Sequence, residues 1–318
     1  MNMPRSAAAI LLALAAVAVG PARVSALTCS FTIDDMSFGS AVDTLSGGAV
    51  DTSTTISYNC SDGDPSARVL ICVHLGEGSF PAAGEARRMM GGTSYLLYQL
   101  YQNAERTIVW GEAGSAYPPP PIVAVLDGNG AASGNRAIYG RLFGNQTTAE
   151  ATTYTSSFSG ESVDIRYRVT SDNDCATLAG ESGGAVSFTV DATVARNCLV
   201  STEPVNFGAH GNLRSNIDAV GTVSVTCTPA TDYAIRLDGG QAAAEPTARK
   251  MSKGAATITY GLYRNSERDQ PWGDLPGTTV AGTGNGSAQP HPVYGRVPPQ
   301  PTPAAGTYTD TVIVTVDY

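Results

Sequence analysis

The sequence is poor in basic side chains. Lysine occurs only at positions 250 and 253, and Asp plus Glu outnumber Lys plus Arg by 28 to 19. The formal net charge of −9 argues against a nucleic acid as partner. Two lysines are also too few for a polybasic membrane-binding segment. We therefore look for a partner other than nucleic acid or an anionic membrane.

Histidine is scarce as well, with three residues in the whole chain. His74, His210 and His291 are far apart in sequence, and none has the spacing of a metal-binding motif such as His-Glu-x-x-His. The glycine-rich run at 282–286 lacks the surrounding βαβ unit of a dinucleotide-binding fingerprint. We expect no metal, no cofactor and no enzymatic activity.

Charged residues make up only 15 % of the chain, whereas glycine and proline are abundant, at 35 and 19 residues. This composition excludes a helical bundle or a coiled coil, which are rich in Ala, Glu, Lys, Leu and Arg. With 42 % apolar residues the chain can still bury a core, and its 318 residues favour two domains over one.

One apolar run, Ala7–Gly20, lies near the amino terminus, and no later stretch approaches the roughly 20 apolar residues that span a membrane. Arg5 precedes this run and the small residues Val24-Ser25-Ala26 follow it, which predicts a signal peptide over 1–26 and export of the remainder. All six cysteines lie after this segment. An even number of cysteines in an oxidising compartment indicates disulfide bonds.

The rest of the chain repeats itself. Cys, Phe-Gly, Cys, Leu-Tyr-x-Asn-x-Glu-Arg, Trp-Gly, Tyr-Gly-Arg and Thr-Tyr-Thr occur twice in the same order. The first set starts at Cys29, Phe38, Cys60, Leu100, Trp110, Tyr139 and Thr153, and the second at Cys198, Phe207, Cys227, Leu262, Trp272, Tyr294 and Thr307. Two copies of one domain explain this better than biased composition. The recurrence also indicates structural roles for Trp110, Trp272, Arg141 and Arg296.

Within both copies the pattern is that of β-strands. Apolar and polar residues alternate over 163–170, 186–194 and 312–318, and Gly, Pro, Asn and Asp separate such runs. No long stretch has a convincing helical periodicity of 3.6 residues. Many short strands in a copy of this length indicate an antiparallel sandwich. The sequence therefore predicts two tandem β-sandwiches.

The ordered motifs, with an alternating strand at the carboxyl terminus, resemble the spore coat protein U domain family, and the resemblance covers both copies. That family includes subunits of archaic, Csu-type chaperone–usher pili. The resemblance implies incomplete immunoglobulin-like folds that are exported to the periplasm, held by a chaperone and polymerised by donor-strand exchange. The expected fold is all-β: two tandem immunoglobulin-like β-sandwiches, 27–170 and 185–318, joined by a linker over 171–184, with the second incomplete and completed by a donor strand.

A donated strand must satisfy the open backbone of such a groove and fill it with alternate side chains. The segment 185–195 has this form, because it contains no proline and is apolar at every second position. These positions are Val186, Phe188, Val190, Ala192 and Val194. Two interpretations remain open: the segment completes the first copy within the molecule, or it is the first strand of the second.

The position of this segment predicts where the subunit lies in a pilus. Leu27-Thr28-Cys29 leaves no extension to donate, whereas the second copy can still accept a strand. We therefore expect a tip subunit, an adhesin for attachment or biofilm formation on the cell surface. Its expected partners are a periplasmic chaperone, an outer-membrane usher and the adjacent subunit. The alternatives are a self-complete secreted coat or matrix protein and a pilus shaft subunit.

Binding residues are expected on loops that the second copy lacks. The four consecutive prolines after Tyr117 form a stiff, apolar segment that loses little entropy on contact. Shorter loops surround Phe80 and Phe143. The candidate contact residues are Phe80, Pro81, Tyr117, Pro118, Pro119, Pro120, Pro121, Ile122, Val123 and Phe143. The alternative for 122–126 is a buried strand with a proline-rich lead-in.

The cysteines divide by their place in the repeat. Cys29 with Cys60 and Cys198 with Cys227 occupy matching positions in the two copies, so these pairs are the natural disulfide bonds. Cys72 and Cys175 remain. A bond between them would hold the linker against the first sandwich.

Overall fold

A computed structural model describes residues 26–318 and Met1, so that the body of the predicted signal peptide, 1–26, lies outside the described residues. From residue 26 onwards the chain is all-β apart from a short 3-10 turn at Gly160–Ser162. This part contains no helix that is long and apolar enough to cross a membrane. The prediction of an all-β fold with two tandem sandwiches is confirmed.

The first sandwich is built from two sheets. Its strands are β1 (Thr28–Ile33), β2 (Met36–Ser37), β3 (Val50–Ser61), β4 (Arg68–Leu75), β5 (Arg87–Gly91), β6 (Ser94–Tyr101), β7 (Ile122–Val125), β8 (Ala132–Leu142), β9 (Thr153–Phe158), β10 (Val163–Val169), β11 (Glu181–Ser182) and β12 (Phe188–Thr193). One sheet has eight strands in the order β1-β3-β8-β6-β5-β9-β12-β2, and the other has four in the order β11-β10-β4-β7. Inward-facing side chains of both sheets form one core.

The second sandwich repeats this plan with fewer strands. They are β13 (Cys198–Glu203), β14 (Ile217–Cys227), β15 (Asp232–Leu237), β16 (Arg249–Lys253), β17 (Ala256–Tyr263), β18 (Val280–Thr283), β19 (Gln289–Val297) and β20 (Val314–Asp317). They form a five-stranded sheet, β13-β14-β19-β17-β16, and a three-stranded sheet, β18-β15-β20. The second sandwich has its own, smaller core.

All six cysteines of the chain form disulfide bonds: the two pairs that the repeat predicts, and a third between the two remaining cysteines. Cys29 lies directly opposite Cys60 across β1 and β3, with Cα atoms 4.0 Å apart, and Cys198 opposite Cys227 repeats this at 4.1 Å. The third bond joins Cys72 on β4 to Cys175 in the linker. Each sandwich thus has a cross-strand bond at the same place, and the first has an additional bond to the linker.

The repeated tryptophans lie in the cores, as their recurrence predicts. Trp110 and Trp272 are buried, and their indole Nε1–H groups donate to the carbonyls of Val73 (2.7 Å) and Ile235 (3.1 Å). The repeated Tyr-Gly-Arg motif also has a structural role. Arg141 and Arg296 each form two hydrogen bonds to one carboxylate, Asp51 and Asp218 respectively.

A buried arginine closes one end of each core. Arg87 donates to the carbonyls of Gly76, Leu75 and Trp110, each at 2.7 Å, and to the side chain of Gln99. Arg249 forms the equivalent bonds in the second sandwich. Burial lowers the pKa of Arg87 to about 10, so its guanidinium stays charged at neutral pH. The backbone carbonyls compensate the charge for its lost hydration.

The substitution Arg87→Met is expected to destabilise the first sandwich by about 3 kcal/mol, because three buried carbonyls lose their donor. Arg88→Met is the matched control: Arg88 is the next residue, half exposed, with one hydrogen bond to Pro81. It should cost less than about 1 kcal/mol. Urea denaturation of both variants measures the difference. Equal effects would show that the buried arginine has no special role.

Candidate functional site

The segment that the sequence singles out as a donor strand fills a groove in the first sandwich. β12 lies between β9 and β2, antiparallel to β9 and parallel to β2. Phe188 is opposite Phe158, and Thr193 is opposite Thr153. The structure therefore pairs this segment with the first sandwich. The predicted second domain, 185–318, loses its leading segment, and its own sheets begin at Cys198.

The side chains of β12 alternate as the pattern requires. Phe188, Val190, Ala192 and Val194 are all 3 % exposed or less. Phe188 stacks on Phe158, with ring centroids 4.5 Å apart. Val186 lies just before the strand and packs on the edge of the core. Burial of a valine or phenylalanine side chain contributes roughly 1.5–3 kcal/mol, so this strand is a major part of the first core.

The linker before this strand is held along its length. Cys175 is bonded to Cys72, and both are buried with Leu70 on the outer side of β4. Arg168 donates to the carbonyls of Asp174 and Ala179, at 2.6 and 2.9 Å. β11 then adds to the edge of β10.

A glycine is required at the point where the chain crosses from one sheet to the other. A Cβ atom on Gly183 would lie 2.8 Å from the ring of Phe31 and 3.0 Å from Ile165. The linker therefore passes close against the core as it leads into β12.

The second sandwich has no counterpart of β12 among the described residues. Strand pairing shows which segments of the two copies correspond. Met90 faces Thr155 in the first copy, and Ser252 faces Thr309 at the equivalent place in the second. The counterpart of β9 is thus the segment 307–312. It forms one isolated bridge, at Thr309, and no regular strand. The edge that β12 covers in the first sandwich is open in the second.

Equivalent apolar positions differ in exposure between the two copies. In the first, Met36, Phe38, Met89, Leu96, Tyr154, Val163 and Ile165 are all 6 % exposed or less. Their counterparts Val205, Phe207, Met251, Ile258, Tyr308, Val314 and Val316 are all only partly buried. We call this second set, together with the edge 307–318, the open groove. Its apolar side chains are those that an inserted strand buries in the first sandwich.

A carboxylate lies within the open groove. Asp310 accepts hydrogen bonds from the hydroxyl of Tyr260 (2.7 Å) and from the backbone N–H groups of Gln241 and Thr311 (both 2.9 Å). Burial raises the pKa of Tyr260, and the hydrogen bond to this carboxylate raises it further. The equivalent residue of the first sandwich is Ser156, which is 1 % exposed. The motif comparison missed Asp310, although aligning the two copies residue by residue would reveal the difference.

Two of the predicted binding loops lie against the same strand, β6, of the first sandwich. Phe80 packs edge-on against Tyr95, and the guanidinium of Arg88 lies 4.6 Å from the centroid of the Tyr95 ring. On the neighbouring strand, the N–H of Phe143 donates to the carbonyl of Leu97. Six residues form this outer patch: Phe80, Arg88, Met90, Tyr95, Leu97 and Phe143. Pro81 borders the patch and is exposed.

The same face is polar in the second sandwich. Its β16 and β17 carry Lys250, Ser252, Thr257 and Thr259 at the positions of Arg88, Met90, Tyr95 and Leu97. The fold therefore does not require an apolar face here. Sequence reasoning found Phe80 and Phe143 but missed the strand residues between them, because each is an ordinary β-strand residue by itself.

The proline-rich segment lies elsewhere, and only part of it is accessible. Tyr117, Pro118, Pro121 and Val123 are exposed, whereas Pro119, Pro120 and Ile122 are buried. These three buried residues are therefore not available for contact with a ligand, which corrects that part of the predicted set. Ile122–Val125 forms the edge strand β7, as the strand interpretation predicts. The proline-rich residues before it form a partly exposed lead-in.

The described residues hold no cluster of three or more His, Cys, Asp or Glu side chains arranged to bind a metal ion. The segment 180–184 does have the Gly-x-Ser-x-Gly spacing of a nucleophile elbow. Such an elbow connects a strand to a helix. Ser182 instead lies exposed on the two-residue strand β11, with no helix after it in this part of the chain.

The chain belongs to the Spore Coat Protein U domain family, whose model matches residues 13–161 and 185–315. Protein U of Myxococcus xanthus is 32 % identical over 155 residues, which cover 45 % of this chain and 77 % of that protein. The resemblance seen in the motifs is thus confirmed for both copies. The second match starts at residue 185, so by family alignment the strand that fills the first sandwich leads the second domain.

The fold is shared with a solved pilus protein. A chain of the CsuC–CsuE chaperone–tip adhesion subunit pre-assembly complex, from the archaic chaperone–usher Csu pili of Acinetobacter baumannii, matches with a TM-score of 0.53 and 15 % identity. The match covers 92 % of this chain and all of that chain. It confirms the predicted tandem immunoglobulin-like architecture.

The substitution Val190→Asn should destabilise the first sandwich by about 3 kcal/mol, because it removes a buried apolar side chain and desolvates an amide in the centre of the core. Thr189→Asn is the matched control, since Thr189 is the preceding residue and is half exposed. It should change stability by less than about 1 kcal/mol. Thermal unfolding of the two variants is the measurement. Similar melting temperatures would contradict the burial of this strand.

Removal of the linker disulfide by Cys72→Ala with Cys175→Ala should loosen β12 selectively. The bond spans 103 residues, and closing a loop of that size is worth about 4–5 kcal/mol in the chain-entropy model. Amide hydrogen exchange in β12 should accelerate. Cys29→Ala with Cys60→Ala serves as control, because that bond lies at the opposite end of the eight-stranded sheet. Equal acceleration in both variants would argue against a link between the disulfide and β12.

Proposed function

We propose that this chain is the tip subunit of an archaic chaperone–usher pilus and mediates attachment. The observation that carries the proposal is the contrast between the two copies: one groove is filled by the chain's own strand, and the equivalent groove is open. A subunit of this form accepts a strand from one neighbour and gives none. Such a subunit ends a fibre.

The open groove supports the accepting half of this function. Val314 and Val316 are half buried, and the edge 307–313 lacks the strand partner that β9 has in the first sandwich. An exposed sheet edge beside an apolar groove is an aggregation hazard. A strand added there pairs with the backbone and fills the groove with alternate side chains. A periplasmic chaperone would occupy this groove first, and the adjacent subunit would replace it at an outer-membrane usher.

The filled groove supports the end position. The segment 185–195 leads the second domain by family alignment, where a donor strand of a single-domain subunit would stand. Here it pairs with the first sandwich of the same chain, so it is not free for a neighbour. The first sandwich is thereby complete and can be carried beyond the last accepting site. We place it at the distal end, on the cell surface, with its outer patch and the exposed part of the proline-rich segment as attachment faces.

The molecule works by binding, and its chemistry is that of strand exchange rather than catalysis. A pilus shaft subunit would need a free donor strand, and the segment with that pattern is already paired within the chain. A coat or matrix protein that is complete in itself would need both grooves filled. The state of the open groove therefore distinguishes the proposed function from this alternative.

Co-expression with the chaperone of the same pilus system is the test. We expect a stable complex of one chaperone with one chain, formed through the open groove. The free peptide Ala-Val-Ser-Phe-Thr-Val-Asp-Ala-Thr-Val-Ala, the sequence of 185–195, should release the chaperone on incubation. Size-exclusion chromatography measures both steps.

The control peptide replaces the inward Phe188 and Val190 by aspartate and should release nothing, because two charges cannot enter an apolar groove. A chain that is soluble, monomeric and stable without a chaperone would mean that both sandwiches are complete. The coat or matrix function would then replace the pilus function.

A further inference from the structure

The open groove differs from the filled one in a polar feature, the carboxylate of Asp310. The pairing that relates Thr155 to Thr309 makes Ser156 the counterpart of Asp310. Ser156 lies directly opposite Val190 of β12. Directly opposite residues of an antiparallel pair point to the same side of the sheet. A strand that enters the open groove in the same register therefore places one inward side chain beside Asp310.

The carboxylate is only partly satisfied by the chain. Oδ2 accepts one hydrogen bond, from Tyr260, and Oδ1 accepts two, from the backbone of Gln241 and Thr311. A carboxylate has about four acceptor sites, so one site on Oδ2 is left. No Lys, Arg or His nitrogen in residues 26–318 lies within 4.0 Å of Asp310.

The buried arginine nearby forms no hydrogen bond with this carboxylate. Arg249 is fully buried and donates to the carbonyls of Asp238, Pro246, Leu237 and Trp272. Its hydrogen bonds are directed to the backbone at the end of the core. Asp310 is partly exposed at the edge of the groove.

We propose that Asp310 selects the incoming strand: the partner is a donor strand whose inward residue opposite Asp310 carries a hydrogen-bond donor. This inference rests on the proposed function, since it concerns the occupant of the open groove. An apolar residue at that position would strip water from the carboxylate and return no hydrogen bond. The chain's own segment 185–195 has Val190 there, opposite Ser156 in the filled groove. We therefore expect the open groove to prefer a strand other than the chain's own.

The test compares peptides on the full secreted chain. The parent peptide is the sequence of 185–195, the first variant carries Val190→Asn, and the control carries Thr193→Asn on the outward face. The asparagine has no charge, so general attraction to the acidic protein does not change. We expect the Val190→Asn peptide to bind about tenfold tighter than the parent, because a hydrogen bond to a charged group replaces lost water. The Thr193→Asn peptide should bind like the parent.

The same peptides on the Asp310→Ser chain should bind with more similar affinities, since that substitution replaces the carboxylate by the hydroxyl found in the first sandwich. Asp310→Asn keeps the shape of the side chain and should reduce the preference. Fluorescence anisotropy of labelled peptides gives the dissociation constants. If the Asp310→Ser chain does not fold, the comparison of the three peptides on the unmodified chain still tests whether Asp310 selects the strand.

Each outcome has one meaning. Peptides that bind with equal affinity leave the open groove and the proposed function in place and overturn the role of Asp310. Tighter binding of both asparagine peptides also overturns it, because an outward residue does not reach the carboxylate. If no peptide binds, the groove is not an acceptor, and the proposed function fails together with this inference.

Discussion

The structure depends on one constraint: a sandwich that lacks a strand must have its groove filled from outside its own sheets. In the first sandwich β12 meets this constraint by pairing with β9 and β2, and with the following Val194 it buries four side chains. The linker disulfide at Cys72 and the crossing at Gly183 both hold the chain on the path that leads there. The groove that this strand enters determines which sandwich has a complete core and which has an open edge.

Because the chain contains the domain twice, it offers a comparison of the filled and the open state within one molecule. The cross-strand disulfides, the core tryptophans and the buried arginines are the same in both. The differences include the inserted strand, the linker disulfide, the proline-rich segment, Asp310 against Ser156 and the outer patch. A shared framework with local differences is expected when duplicated domains take separate roles in one assembly.

Much of the framework could be predicted from the sequence. The matching positions of Cys29 and Cys198 reveal the duplication and two of the disulfides, and the alternation over 186–194 reveals a strand. The outer patch was only half predicted. Phe80 and Phe143 stand out as apolar loop residues, whereas Tyr95 joins them through strand pairing that no local pattern encodes. In the proline-rich segment the sequence predicted too many contact residues. Pro119 and Pro120 are buried, and composition alone does not predict which prolines of the run are buried.

The sequence by itself determined the class of fold, the two copies, two of the disulfide pairs and the presence of a strand with one apolar face, since these depend on residue type and spacing. Only the tertiary structure decided which groove that strand fills. Its alternation suits either copy, and the choice depends on what lies within reach of a linker held by Cys175. The tertiary structure likewise decided that Asp310 lies in a groove, because a carboxylate gains that role only when the strand beside it is missing.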